Sequence, residues 1–198
     1  MSYFWSVLGL ALGYLAGSLS SATLVSSALG LPDPRAHGSG NPGATNVLRL
    51  GGKKAGALTL LGDALKGLLP VLLIGALSHN LTAQVLTALG AFLGHLYPCF
   101  YHFKGGKGVA TACGVLLALQ PLLALLLVAV WAAIFYKTRI SSLSALGAMF
   151  AALPLAVLLG ASRQELLLLL LLVGVLVVKH RDNIKRLREG KEQAFGRK

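Results

Sequence analysis

Charge is scarce in this chain. Asp, Glu, Lys and Arg make up 12% of its 198 residues, about half the share usual in soluble domains. Acidic residues are scarcer still, with 6 Asp and Glu against 18 Lys and Arg. Only Asp33, Asp63 and Asp182 stand in places that are not peripheral, so chemistry run by a pair of carboxylates has little to draw on. The 2 cysteines, Cys99 and Cys113, cannot make a disulfide framework and read as reduced packing residues. The 5 histidines are scattered, and neither an HExxH nor a paired CxxC motif is present, which argues against a metal centre. A phosphate loop of the Walker type is also missing. Tyr101 stands where its first glycine belongs and Gly108 where its Ser or Thr belongs, which argues against nucleotide hydrolysis.

What fills the chain instead is hydrocarbon. Apolar residues reach 56% and the mean hydropathy is +0.75. A soluble fold of this length has no interior large enough for so many leucines. No charged residue occurs from Met1 to Pro32, from Gly108 to Tyr136 or from Ile140 to Ser162, and a spanning helix needs about 20 apolar residues. The first run lacks the basic start of a cleavable leader, since the first Lys or Arg is Arg35. The pattern predicts an all-α integral membrane protein, a single domain over residues 1–198 with a basic tail at about 180–198. Seven crossings are expected, some of them short, at 4–28, 55–77, 82–98, 108–119, 121–136, 141–160 and 164–179. The leucine run Leu166–Leu172 reads as lipid-facing bulk, and Gly9, Gly13 and Gly17 as a close-packing stripe.

Charge placement selects the topology. The fourth and fifth crossings could form one tilted helix or a hairpin broken at Gln120-Pro121, because an internal proline removes a hydrogen bond. With the hairpin and an outer N-terminus, 16 of the 18 Lys and Arg fall on one side, leaving Arg163 outside and Lys66 within a helix. One long helix divides them far more evenly. Lys and Arg stay cytoplasmic, so seven crossings with the N-terminus outside and the C-terminus cytoplasmic are expected. Every polar-rich loop then falls on the cytoplasmic face.

Those loops carry the chemistry. In "SGNPGATN", Ser39 to Asn46, glycines permit turns whose successive N–H groups form anion-binding concavities. Ser39, Asn41, Thr45 and Asn46 add side-chain donors, and a helix starting near Ala44 would aim its N-terminus at the same place. Arg49, one turn past Thr45, suits a phosphate. "FKGGKGVAT", Phe103 to Thr111, repeats the composition with Lys104 and Lys107 around Gly105 and Gly106. Asp63 and Lys66, spaced i, i+3, read as a self-neutralising pair that supports the loops, and His95 as a hydrogen-bonded structural residue. Ser141 and Ser142 open a helix beside Arg139. His180 and Asn183 stand i, i+3 at the inner end of the last crossing. The tail's basic residues suit topology and anionic headgroups. Without interleaved aromatics they do not suit nucleic acid.

Taken in order, "GSLSSA" (Gly17–Ala22), "GSGNPGATNVLR" (Gly38–Arg49), "DALKG" (Asp63–Gly67), "GHLYPCF…FKGGKGVAT" (Gly94–Thr111), "TRISSLSAL" (Thr138–Leu146) and "HRDNIKRL" (His180–Leu187) resemble the bacterial membrane acyl-phosphate:glycerol-3-phosphate acyltransferases, the PlsY family. Ser20 stands where that family usually has Pro. The His-x4-Asp pattern of many acyl-CoA-dependent glycerolipid acyltransferases is absent. The resemblance implies transfer of a fatty acyl group from acyl phosphate to the sn-1 hydroxyl of glycerol 3-phosphate, giving lysophosphatidic acid and phosphate without a cofactor. It implies a bacterial cytoplasmic (inner) membrane enzyme whose site faces the cytoplasm. The expected partners are its two substrates, membrane lipids, the soluble enzyme that forms acyl phosphate and the second acyltransferase. By motif, Ser39, Gly40, Asn41, Gly43, Thr45 and Asn46 would cradle the acyl phosphate. Arg49, Lys107, Ser141, Ser142, His180 and Asn183 would hold glycerol 3-phosphate, with Lys104 available to either. Ser39, Arg49, Lys107, His180 and Asn183 would carry catalysis. The hydroxyl proton could go to the leaving phosphate or to His180. A membrane anion transporter is the competing reading, and it expects polar residues along a path through the bilayer.

Overall fold

A computed structural model describes residues 2–196, and all regular structure among them is helical. Arg197 and Lys198, counted above with the cytoplasmic charges, lie outside the described residues. The chain divides into two compact units, Met1–Leu119 and Gln120–Lys198.

The first unit contains α1 (Ser2–Gly17), α2 (Ser21–Ala28), α3 (Ala44–Ser78), α4 (Leu81–Leu96), a 3-10 turn at Cys99–Tyr101 and α5 (Val109–Leu119). The first expected crossing, 4–28, is therefore two helices. Ser20 leaves the helical region at φ −83°, ψ 94°, and its side chain caps α2 by accepting from Thr23 N at 3.4 Å. The helix α3 begins at Ala44 as expected, and Gly43 supplies its extended N-cap. It is not continuous with the crossing expected at 55–77, since Gly52 sits at φ 76°, ψ −173° and kinks it. That left-handed value suits glycine alone at no steric cost.

Small residues let these helices approach. A Cβ added to Gly13 or Gly17 of α1 would run into the backbone of Thr87 or Ala91 of α4, and one on Gly90 or Gly94 would run into α1. The glycine stripe is thus matched by a second one on the facing helix. Two buried hydroxyls are satisfied within their own helices. Thr59 donates to Ala55 O at 2.9 Å and Thr87 to Ala83 O at 2.7 Å.

The second unit contains α6 (Pro121–Thr138), α7 (Ser141–Leu158), α8 (Arg163–Lys179) and α9 (Arg181–Arg188). The chain breaks at Gln120, as the proline predicted, and Pro121 opens α6, where its missing N–H leaves no bond unmade. The helix α7 packs on both α6 and α8. The leucine run is not uniformly lipid-facing. Leu168, Leu169 and Leu172 are buried while Leu167 and Leu170 are exposed, because the helical period turns an unbroken run through every face.

Five segments among the described residues are long and apolar enough to cross a membrane: Tyr3–Ala28, Ala44–Ser78, Leu81–Tyr101, Pro121–Thr138 and Ser141–Leu158. Val109–Leu119 is apolar but has only 11 residues, about 16 Å of helix against a hydrocarbon core of roughly 30 Å. Large apolar side chains face outward, among them Leu72, Leu73, Phe150 and Leu158.

Candidate active site

The first unit brings two of the motif loops together. Gly38 and Gly40 take positive φ, 66° and 70°, and turn the chain so that Ser39 is exposed between them. Asn46 fixes this turn from below. Its Oδ1 accepts from Ser39 N at 3.0 Å, and its Nδ2 donates to Pro34 O at 2.8 Å and to His37 O at 3.0 Å. The side chain is 1% exposed. Expected as a donor to the ligand, Asn46 has its oxygen and both amide hydrogens committed to the loop, so it supports the cradle and does not line it.

Asn41 and Gly43 flank the buried Pro42, Thr45 lies in the first turn of α3, and Arg49 stands exposed before the Gly52 kink. At the loop's head Arg35 grips Asp33 (Nη2 to Oδ2, 2.6 Å) and lies over the Tyr101 ring at 5.5 Å. The guanidinium holds the Asp33 carboxyl below the ordinary carboxylate range.

The second loop, Lys104–Gly108, is held by α4. Gly106 N donates to His95 O at 3.2 Å. A side chain on Gly106 would meet His95 Nε2 and come within 3.0 Å of Pro42 O. The backbone at Pro42 and the backbone at Gly106 therefore approach as closely as glycine allows. Lys107 is half-buried two residues before α5, and Lys104 is exposed. Beneath the loop, Lys66 Nζ lies 2.8 Å from Asp63 Oδ1 and donates to Leu19 O at 2.7 Å. His95 Nδ1 lies 3.6 Å from Asp63 Oδ1 and 3.1 Å from Thr111 Oγ1. The expected self-neutralising pair is present, and it ties α3 to α4 and α5 under the two loops.

The second unit holds the other four expected residues. Ser141 and Ser142 open α7, Ser142 buried. His180, 3% exposed, is the joint between α8 and α9. Its Nδ1 lies 2.8 Å from Leu176 O. A carbonyl only accepts, so Nδ1 carries the hydrogen and a neutral ring keeps its lone pair on Nε2. Asn183 is buried on the first turn of α9. Ser142 and Asn183 are joined by a residue set aside above as peripheral. Glu192 Oε1 accepts from Ser142 Oγ at 2.6 Å and from Asn183 Nδ2 at 2.5 Å, and its Oε2 accepts from Arg186 Nε at 2.6 Å. Its side chain is 9% exposed. Burial pushes the carboxyl up, but the bonds from Ser142, Asn183 and Arg186 outweigh it and hold Glu192 below its ordinary value.

The family model described as "Glycerol-3-phosphate acyltransferase" matches residues 7–190. The chain belongs to the glycerol-3-phosphate acyltransferase family. It is 54% identical to the glycerol-3-phosphate acyltransferase of Methylobacillus flagellatus over 93% of this chain and 94% of that one. It is 50% identical to that of Neisseria meningitidis serogroup C over 97% and 98%. Among solved structures it resembles the glycerol 3-phosphate form of PlsY (YgiH), an integral membrane glycerol 3-phosphate acyltransferase. The TM-score is 0.92 at 38% identity, with 96% of each chain covered. The lysophosphatidic acid form gives a TM-score of 0.89 at 36% identity. The chain is therefore a multi-pass integral membrane enzyme of this acyltransferase family.

Within this acyltransferase Glu192 is what sequence reasoning missed. It lies nine residues past Asn183 in a tail where Arg181, Asp182, Lys185, Arg188, Glu189 and Lys191 are exposed. The available signal was Gly190, at φ 67°, which lets the tail turn back after α9. Asp33 and Asp182, singled out above in its place, pair with their neighbours Arg35 and Arg181.

Proposed function

We propose that this chain transfers a fatty acyl group from acyl phosphate to the sn-1 hydroxyl of glycerol 3-phosphate, releasing lysophosphatidic acid and inorganic phosphate. The observation that carries the reading is the close approach of Pro42 and Gly106, which brings two glycine-rich loops, each with basic residues in its sequence, into contact. The acyl phosphate lies in the turn of Ser39, Gly40, Asn41, Gly43 and Thr45, with Asn46 as its support. By the resemblance of its motifs, glycerol 3-phosphate is assigned to Arg49 and Lys107 of the first unit and to Ser141, Ser142, His180 and Asn183 of the second, with Lys104 available to either substrate.

The donor already carries a good leaving group, so the enzyme needs no covalent intermediate. Holding both substrates converts a bimolecular encounter into a near-unimolecular one. Donors aimed at the carbonyl oxygen stabilise the tetrahedral state, each by about 3–4 kcal/mol. The leaving phosphate takes the hydroxyl proton. His180 is the competing base, and the tautomer set by Leu176 O leaves Nε2 able to accept. Substantial turnover in His180→Gln, with Ser39→Ala and Arg49→Ala inactive, supports the phosphate. A His180→Gln enzyme that binds both substrates yet does not turn over supports the imidazole.

The protein lies in the bacterial inner membrane with seven crossings, its N-terminus outside and its site toward the cytoplasm. It receives acyl phosphate from a soluble enzyme and passes lysophosphatidic acid to a second acyltransferase. The test is phosphate release by purified protein from palmitoyl phosphate with and without glycerol 3-phosphate. Release that depends on the acceptor is expected. Acceptor-independent release, or phosphate flux across liposomes without acylation, overturns the reading.

A further inference from the structure

The Glu192 carboxylate fixes the direction of the hydrogen bonds around it. An ionised carboxylate only accepts, and this one takes three donors, Ser142 Oγ, Asn183 Nδ2 and Arg186 Nε. A serine hydroxyl has one hydrogen, and that of Ser142 is spent on Oε1. Ser142 is buried, 8% exposed, so its side chain is not free to swing to another acceptor. What its oxygen retains is the capacity to accept. A phosphate oxygen at neutral pH offers no hydrogen to accept, whereas a glycerol hydroxyl does.

We propose that Glu192 is a positioning residue that makes Ser142 an acceptor for a glycerol hydroxyl and withholds it from the phosphate. This rests on the assignment of Ser142 and Asn183 to the glycerol 3-phosphate subsite. Glu192 thereby divides the labour in that subsite. Cationic groups read the phosphate, and Ser142 reads the alcohol that distinguishes glycerol 3-phosphate from other small phosphate esters. Arg186 neutralises the carboxylate through Oε2, so a fixed negative charge is tolerated beside an anionic substrate. The tail is held in the same place by a second contact, Phe195 N donating to Arg139 O at 2.8 Å, with the Phe195 ring edge-on to Phe135. These bonds place Glu192 as a built component of the subsite.

The competing account is a latch, in which the carboxylate occupies the place of the substrate phosphate and must leave before binding. The two accounts give opposite signs. The probes are glycerol 3-phosphate as substrate and n-propyl phosphate, which has the phosphate but no hydroxyl, as competitive inhibitor. Ser142→Ala should raise KM for glycerol 3-phosphate by about five- to tenfold, the usual worth of one hydrogen bond. The Ki of propyl phosphate and the KM of palmitoyl phosphate should stay unchanged. Glu192→Ala should likewise raise KM for glycerol 3-phosphate and not the Ki of propyl phosphate. Where Glu192→Ala does not fold, Ser142→Ala carries the test alone. An equal rise of KM and Ki in Ser142→Ala overturns the proposal, because Ser142 then serves the phosphate. A fall of both in Glu192→Ala overturns it in favour of the latch. A KM unchanged in both variants removes Ser142 from the subsite while wild-type turnover leaves the acyltransferase reading intact.

Discussion

Replacing Asn46 is the sharpest probe of how the Ser39–Asn46 loop, the proposed acyl-phosphate site, is built. Alanine there leaves Ser39 N–H, Pro34 C=O and His37 C=O without their partner. Each such bond contributes roughly 0.5–1.5 kcal/mol net, more where water cannot replace it. The bond to Pro34 is buried and the other two are partly so, which puts the loss at about 2–3 kcal/mol. Concentrated in one loop, that shifts its order–disorder equilibrium about 30- to 150-fold toward disorder, and kcat/KM falls with the ordered fraction. Aspartate is nearly the same shape and keeps an acceptor for Ser39, yet it should be the worse substitution. Its second oxygen would face two carbonyl acceptors, and it adds negative charge to a loop proposed to receive a phosphate. The assay is steady-state phosphate release paired with hydrogen exchange at the Ser39 amide, whose protection is lost in Asn46→Ala. Activity of Asn46→Ala within about threefold of wild type, or an Asp variant milder than the Ala variant, refutes the supporting role.

Gly106→Ala should reduce kcat/KM at least tenfold with little change in thermal stability, because the added methyl meets the Pro42 carbonyl and His95 and pushes the loops apart; steady-state kinetics and a melting curve in detergent check this. Asp63→Asn removes the carboxylate from a buried Lys66 and should destabilise by about 3–5 kcal/mol, whereas Asp63→Leu with Lys66→Leu should be the more stable of the two, as read by thermal unfolding. Acid should loosen the Glu192 contact in a defined direction. The native carboxyl titrates below its ordinary value, so the contact contributes fully above about pH 4.3, the unfolded value. That contribution is lost as pH falls through the lower native value. Wild-type stability should therefore drop in that window relative to its plateau, and Glu192→Ala should show a smaller drop.

Legibility in the sequence followed the physics of each feature. Hydropathy and proline placement are local, so the break at Gln120 and the starts of α3, α6 and α7 could be read directly. The Ser20 cap was hidden, because serine carries no breaker signal inside an apolar run. The Gly52 kink was hidden for a similar reason, as Gly51-Gly52 sits in a stretch that is helical on both sides. Residue types suited to phosphate were visible in both glycine-rich loops, but composition cannot tell a ligand donor from a loop support. Asn46 is the case in point, since three backbone partners from residues 34–39 decide its role. Glu192 was invisible because its partners lie 50 and nine residues away in sequence, and a carboxylate in a basic tail reads as solvated.

Asn46, His95 and Glu192 share a logic that the membrane setting explains. Each is buried or nearly so, and each ties a polar loop or tail to a helix end with its own hydrogen bonds. Loops at the edge of hydrocarbon cannot rely on water to satisfy their backbone groups. Internal side chains must do so, and they must be neutral or paired, as Asp63 is with Lys66 and Glu192 with Arg186. Arg49 and Lys104, exposed, and Lys107, half-buried, are the cations proposed to meet the substrate. Anion-gripping loops can persist in so greasy a chain because the groups that hold their shape are distinct from the groups that meet the substrate. Substitution of Asn46 or His95, which hold the loops of the first unit, should therefore impair both substrates together, whereas Glu192→Ala, whose contacts run to Ser142 and Asn183, should act on glycerol 3-phosphate alone.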